Sequence, residues 1–388
     1  MNAIELSEYL KPIVSACPLW KDKKLCMELI ANPVAGGFTQ KKLVAEHERV
    51  LADYSTLAKT KEQQCKSLTM NVYETSLTSS LDEYIQKIVG RAGMPEDSET
   101  FFLIVTAGGD GTSLEVQTAL AKIAFDIGGE YSQIIKNRIT VFRLPFGTGN
   151  DGSDGRTLRE SLDLLSTNAH FSLQKAIRVN CRTTDDQAEN GKADRSLKVL
   201  PPWYAFNIAS IGIDAFITHM TNKTKNIFPG NFYKIWIDLA CIFYNVIYPS
   251  GKATIKIYKD GLLSQTLETS IVFCLLGVSG HRTYGSGQKI IPDDRNVCIT
   301  KKMSLLKKMM LKEKFKNGTH VDNPLAFFAN ADKISVQYDK KILTQLDGEV
   351  HLLNPKNFPL TMELTEPVIR IIESDNLPYN KGAVPVYE

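Results

Sequence analysis

Residues 101–112 read Phe-Phe-Leu-Ile-Val-Thr-Ala-Gly-Gly-Asp-Gly-Thr, and this stretch decides the fold. From Phe101 to Val105 apolar residues follow one another without alternation, and Thr106 and Ala107 carry the run to the glycines. Such a run predicts a strand buried on both faces, as in a parallel sheet covered by helices. The run stops at Gly108 and Gly109. Behind it, the segment 113–127 places Val116, Leu120 and Ile123 on one helical face. Glycine lets the backbone approach a phosphate closely, and a helix N-terminus offers unpaired N–H groups with partial positive charge. Gly108, Gly109, Asp110, Gly111 and Thr112 are therefore candidate phosphate-binding residues. Asp110 could bind a magnesium ion or position a nucleophile, and Thr112 could donate a hydroxyl bond. A plain strand-to-helix turn also favours Gly and Asp, so this stretch alone leaves the ligand open.

The same pattern repeats on either side. The apolar run Ile139 to Phe146 ends in Gly147-Thr148-Gly149-Asn150-Asp151. Upstream, KLCMELIA ends in Asn32-Pro33-Val34-Ala35-Gly36-Gly37. Between these lie a helix from Lys41 to about Thr60, a strand LTMNVYET and a helix SSLDEYIQKIVG. All three glycine turns fall at carboxyl ends of parallel strands, the edge where open α/β sheets bind ligands. The chain has no GxxxxGK[ST], so it is not a P-loop protein.

Beyond about Leu165 the period changes. WYAFNIASIGI, KATIKIYKDG, ETSIVFCLLGV, DKISVQYDKK and ILTQLDGEV read as strands. Ala253, Ile255 and Ile257 alternate with Lys252, Thr254 and Lys256, and Asp260-Gly261 is a hairpin signal. The polar segment 183–196 reads as a loop. The expected fold is α/β: a parallel-sheet nucleotide domain with an N-terminal extension over 1–165, then a β-rich sandwich for substrate over 166–365. The active cleft is expected between them.

Composition narrows the class. A net charge of +3 over 388 residues is nearly balanced, which excludes a whole-surface nucleic-acid footprint. Cys17, Cys26, Cys65, Cys181, Cys241, Cys274 and Cys298 are scattered, without a CxxC pair, so neither a zinc site nor a disulfide framework is indicated. A reducing cytoplasm is the simpler reading. The opening MNAIELSEYLKP lacks the basic flank and apolar core of an ordinary secretory signal. Trp236 to Tyr248 and Ser270 to Val278 are too short or too polar to span a bilayer, so membrane contact is expected to be peripheral.

In this order and spacing, NPVAGG, GGDGT and PFGTGND resemble the diacylglycerol kinase catalytic family. Its superfamily also holds sphingosine kinases, NAD kinases and phosphofructokinases. Phe206-Asn207-Ile208-Ala209-Ser210-Ile211-Gly212-Ile213-Asp214 is similar to a characteristic strand of that family, and Asn317-Gly318-Thr319-His320 to one of its turns. The resemblance covers roughly Lys24 to Glu373. It implies an ATP site with Mg2+, built from Asn32, Thr75, Gly108, Gly109, Asp110, Gly111, Thr112, Gly147, Thr148, Gly149 and Asn150. It implies a lipid substrate, most simply diacylglycerol, and a C-terminal segment, 366–388, that returns to the first domain.

The family also carries an Asp-Gly-Glu, found here as Asp347-Gly348-Glu349. By resemblance Glu349 is the general base and Asp347 a supporting carboxylate. An ordinary Asp-Gly hairpin turn with a solvated Glu is the competing reading. A structural metal site is implied at Asp293 and Asp294, but Arg295 stands where the family has glycine. Leu114 replaces an expected asparagine and Arg178 lies near an expected aspartate. These departures keep two alternatives open, an NAD kinase-like enzyme and a catalytically weak nucleotide-binding regulator. Finally, KKMSLLKKMMLKEKFK (301–316) mixes lysines with Met303, Leu305, Leu306, Met309, Met310 and Phe315. It reads either as a segment that lies on an anionic membrane or as an ordinary packed amphipathic helix. Oligomeric state, including a homo-oligomer, is left open.

Overall fold

The computed structural model describes residues 1–76, 80–147, 150, 153–165, 169–182, 201–224, 233–284, 287–374 and 383–386. The expected loop at 183–196 and the residues Thr148 and Gly149 lie outside the described residues. Two compact units form: Met1–Lys175 with Pro367–Glu388, and Ala176–Glu366.

In the first unit, β1 (Lys24–Ala31), β2 (Ser67–Glu74), β3 (Thr100–Gly108) and β4 (Ile139–Pro145) pair in parallel in the order β2-β1-β3-β4. Every residue of β4 is buried, as its unbroken apolar run requires. The longer helices are α1 (Ala3–Ser15), α2 (Lys41–Lys59), α3 (Leu81–Ala92), α4 (Asp110–Lys122) and α5 (Glu130–Arg138). The N-terminal extension is part of this unit. Asn2 and Glu5 form a capping box on α1, which buries Leu6, Leu10 and Val14 in the same core as Leu29, Leu103 and Phe142. The chain returns at its end: a C-terminal strand, Ile369–Ser374, runs parallel to β4 and antiparallel to β5 (Ala169–Gln174). That strand shares no local signal with its neighbours, because its partners lie some two hundred residues upstream in the chain.

The second unit is antiparallel. Its sheet is organised by β6 (Ile208–Gly212), β7 (Lys252–Lys259), β8 (Leu262–Gly277), β9 (Val297–Lys301), β10 (Lys333–Tyr338), β11 (Ile342–Leu346) and β12 (Glu349–Leu353). The first part of β8 pairs with β7, and its second part pairs with β6 and β9. One strand thus belongs to both halves of the sheet. Ile255 and Ile257 of β7, Ile334 and Val336 of β10, and Ile211, Cys274 and Ile299 of the other half bury one common core. The opposite face of the β6–β8–β9 half is covered by α6 (Ile213–Thr224), α7 (Tyr233–Ile247) and α8 (Leu305–Asn317). Sequence alternation missed α6 and α7. α7 is apolar on nearly every side, and α6 passes from an apolar first half to a polar second half, so neither shows one clean amphipathic stripe.

Candidate active site

Parallel register sets the carboxyl ends of β1 to β4 side by side. Ala31 lies opposite Glu74 on one side and Ala107 on the other, and Gly108 lies opposite Pro145. The residues that follow these ends are tied across the edge by backbone bonds. Thr75 N–H donates to the Ala31 carbonyl at 2.9 Å, Asn32 N–H to Ala107 at 2.9 Å, and Gly37 N–H to Phe146 at 2.8 Å. Asn32, Thr75, Gly108, Gly109 and Gly147 are therefore brought to one edge. Asp110 opens α4, and the carbonyl of Gly109 accepts from Thr112 and Ser113 N–H at 3.1 and 3.3 Å. The first-turn donors of α4 thus stand at this edge, where a helix favours an anion.

Glycine is required at two of these positions by space. A Cβ on Gly147 would fall 2.5 Å from the Cα of Gly109, so the two turns meet backbone to backbone. A Cβ on Gly108 would fall 2.5 Å from Thr112 Oγ1. Asn150 holds the second turn in a left-handed conformation, with φ 58°. Its Oδ1 accepts from Gly147 N–H at 2.9 Å, and its Nδ2 donates to the Gly147 carbonyl at 3.1 Å. Asn tolerates that conformation because its short amide can bond locally.

Two supporting residues escaped the reading of the sequence. Asp154, just past the second turn, is buried beside Arg143 of β4. Its carboxylate accepts from the Arg143 backbone N–H at 2.6 Å and from Nε at 3.0 Å, and Arg143 Nη1 donates to Gln117 at 3.1 Å. This fully bonded pair anchors the chain that leaves the turn. The only available signal was the unusual arginine inside an apolar strand. Leu114 is buried in α4, an apolar packing role in place of the family's asparagine.

In the second unit, Asp347 and Gly348 form the two-residue turn between β11 and β12, with φ 46° and 104°. Positive φ at both positions is the hairpin geometry that Asp-Gly favours. The carboxylate of Asp347 is clamped by three consecutive N–H groups, with Asn207 at 3.0 Å, Ile208 at 2.8 Å and Phe206 also donating. Burial pushes Asp347 up to about 6, against the downward pull of those donors. Gly348 N–H donates to Gln345 Oε1 at 3.1 Å, and Asn222 Nδ2 donates to the Gly348 carbonyl at 2.9 Å. Gln345 in turn donates to Ser210 Oγ at 2.9 Å, and Ser210 donates to the buried Asp214. The segment 206–214 and the Asp-Gly-Glu turn are one braced unit, although more than a hundred residues separate them.

Glu349 opens β12. Its side chain is exposed, and its carboxylate has no hydrogen-bond or ion-pair partner among the described residues. Surrounding protein raises its pKa by desolvation, and its access to solvent limits how far. Two residues on, His351 stacks on Trp203 at 4.2 Å, and burial lowers it to about 4, so it is neutral near pH 7.

Asp293 and Asp294 are each engaged by a basic side chain. The guanidinium of Arg295 holds Asp293 through Nε at 3.0 Å and through Nη2, and lies 4.7 Å from the centre of the Phe328 ring. The hydrogen bond from Arg295 holds the Asp293 carboxyl below its ordinary range. Asp294 pairs with His281 Nε2 at 2.7 Å. Among the described residues, no group of three or more His, Cys, Asp or Glu is placed to hold an ion. A fixed guanidinium supplies the positive charge that a structural ion would bring. Without nucleotide, magnesium and EDTA are therefore expected to leave the thermal melting curve unchanged. A rise in Tm with magnesium that Asp293→Asn removes would show an ion there.

The first unit thus carries glycine turns at a sheet edge, and the second a carboxylate on a braced hairpin. Residues 27–179 match the model of the diacylglycerol kinase catalytic domain. The chain is 23% identical to "Diacylglycerol kinase" of Staphylococcus carnosus over 74% of its length and 81% of that protein's. It is 25% identical to "Diacylglycerol kinase" of Bacillus subtilis over 66% of its length and 74% of that protein's. A crystal structure of a diacylglycerol kinase from Bacillus anthracis aligns over 92% of this chain and 98% of that one, with TM-score 0.52 and 17% identity, a likeness of fold alone. Over residues 27–179 the chain is thus similar to the diacylglycerol kinase catalytic domain family, and it is a lipid kinase.

Proposed function

We propose that this lipid kinase transfers the terminal phosphoryl group of ATP to the hydroxyl of diacylglycerol, giving phosphatidic acid and ADP. Glu349 carries the reading: a carboxylate without a partner among the described residues, raised in pKa, on a turn braced from both sides. It would take the hydroxyl proton as the oxygen bonds to phosphorus and the bond to the ADP oxygen breaks. Asp347 holds the turn and so positions Glu349. In this reading ATP lies on the turns at Asn32, Thr75, Gly108–Thr112 and Gly147–Asn150. Mg2+ held with the phosphates by Asp110 would neutralise their charge. The protein would act from the cytoplasm, peripheral to the membrane that holds its lipid. No described helix is long and apolar enough to cross a membrane.

Radiolabelled ATP offered with detergent-dispersed diacylglycerol, monoacylglycerol, a sphingoid base and NAD tests the reading. Label is expected to enter diacylglycerol fastest. Transfer to NAD instead would establish the dinucleotide kinase alternative. ATP binding without transfer to any acceptor would establish the regulator.

A further inference from the structure

Helix α7 is apolar on nearly every side, a composition expected of a buried helix. Only half of it is buried. Ala240, Cys241 and Tyr244 enter the core, whereas Ile242, Phe243, Val246 and Ile247 are exposed, Val246 at 77%. Helix α8 has the same division. Leu311 is buried, while Leu305, Leu306, Met309 and Met310 are exposed, Leu306 at 72%.

The two helices are joined by Lys312 with Asp238 and by Lys308 Nζ with the Cys241 carbonyl at 3.5 Å. The first pair is later on α8 and earlier on α7 than the second, so the helices run antiparallel. Both also bury into one core cluster. Antiparallel neighbours with inner faces on the same core must present their outer faces to the same side. The exposed apolar residues of α7 and α8 therefore form one continuous surface. Patches of that kind mark interaction sites.

Charge identifies the occupant. Lys301, Lys302, Lys307 and Lys314 are exposed on and beside α8. The acids of the two helices are engaged, Asp238 with Lys312 and Glu313 with Lys316 at 3.9 Å. Apolar side chains bordered by unopposed lysines match a bilayer interface with anionic headgroups, where the apolar atoms enter the acyl region and the ammonium groups stay at the phosphates. We infer that the antiparallel pair α7–α8 is a monotopic docking surface, with α7 supplying the apolar insertion and α8 the electrostatic contact with an anionic membrane. The inference rests on the reading of the chain as a kinase of membrane lipid. It assigns a role to α7, which carries no motif.

The test uses the full chain with vesicles of phosphatidylcholine, with and without phosphatidylserine. Wild type is expected to co-sediment with the anionic vesicles and to be released by salt. Phe243→Glu with Val246→Glu, and separately Leu306→Glu with Met310→Glu, are each expected to weaken binding by on the order of tenfold or more, since each removes two apolar insertions. Both pairs should keep the wild-type circular dichroism and the wild-type phosphorylation of detergent-dispersed lipid. Phe243→Trp should be quenched by brominated lipid. Unchanged vesicle binding in the α7 pair, or no quenching at Phe243→Trp, overturns the proposal. So does a wild-type dimer that the α7 pair turns into a monomer without loss of vesicle binding, because the face would then join two chains. If wild type phosphorylates no dispersed lipid, the kinase reading fails while the vesicle arms remain decisive for the surface.

Discussion

Glu349→Gln is expected to lower kcat by about 10²-fold or more, with ATP affinity near that of wild type. Glutamine keeps the size and much of the hydrogen bonding of glutamate but cannot take a proton. The turn should survive the change, because it is held by Asp347, Gln345 and Asn222, and not by the Glu349 carboxylate. A base acts on the transition state, so the loss should fall on turnover and not on binding. The pH profile gives an independent reading. A base works when deprotonated, and Glu349 has a pKa raised above the ordinary glutamate value. Wild-type kcat/KM should therefore fall as pH drops through that raised pKa, and Glu349→Gln should lose this acid limb. Asp110 is the competing candidate. If Glu349→Gln turns over at nearly the wild-type rate while Asp110→Asn is inactive, the proton goes to Asp110 and Glu349 is a solvated hairpin residue.

Gly147→Ala should weaken ATP binding by roughly five- to 150-fold, equivalent to the usual 1–3 kcal/mol of overpacking. The added methyl would sit 2.5 Å from Gly109 Cα and 3.1 Å from Asn150 Oδ1. Neither neighbour is the loose end of a long side chain, so one turn must move away from the other. Both turns are candidate phosphate binders, and displacing either should cost affinity. Gly90→Ala is the control, since a Cβ there meets nothing within 4 Å and lies inside a helix, where alanine is the better residue. Isothermal calorimetry on the folded variants decides the matter. Wild-type ATP affinity in Gly147→Ala would remove these turns from the nucleotide site.

Much of the first unit was legible locally. Strands buried on both faces show as unbroken apolar runs, and glycine turns show because no other residue permits such close approach. Nearly all of β1, β3 and β4 is buried, as read from Leu25, Phe102 and Val141 onward. The second unit was less legible. Its alternating strands β7 and β10 were plain, but α6 and α7 were not read, because α7 is apolar on nearly every side and α6 turns from apolar to polar along its length. The structural ion inferred by resemblance at Asp293 and Asp294 depended on a partner, and the partner was Arg295, whose guanidinium folds back onto Asp293.

By itself the sequence determined the α/β class and the three glycine turns at strand ends, and by resemblance it pointed to Glu349 as the candidate base. Only the tertiary structure decided that Gly147 abuts Gly109, that Asp347 is clamped by residues 206–208, that Asp154 is locked to Arg143, and that the apolar faces of α7 and α8 lie side by side. The physical reason is common to all four. Each depends on contacts between segments that the chain brings together only on folding, and a local pattern of residue types carries no record of which distant segment will arrive opposite it.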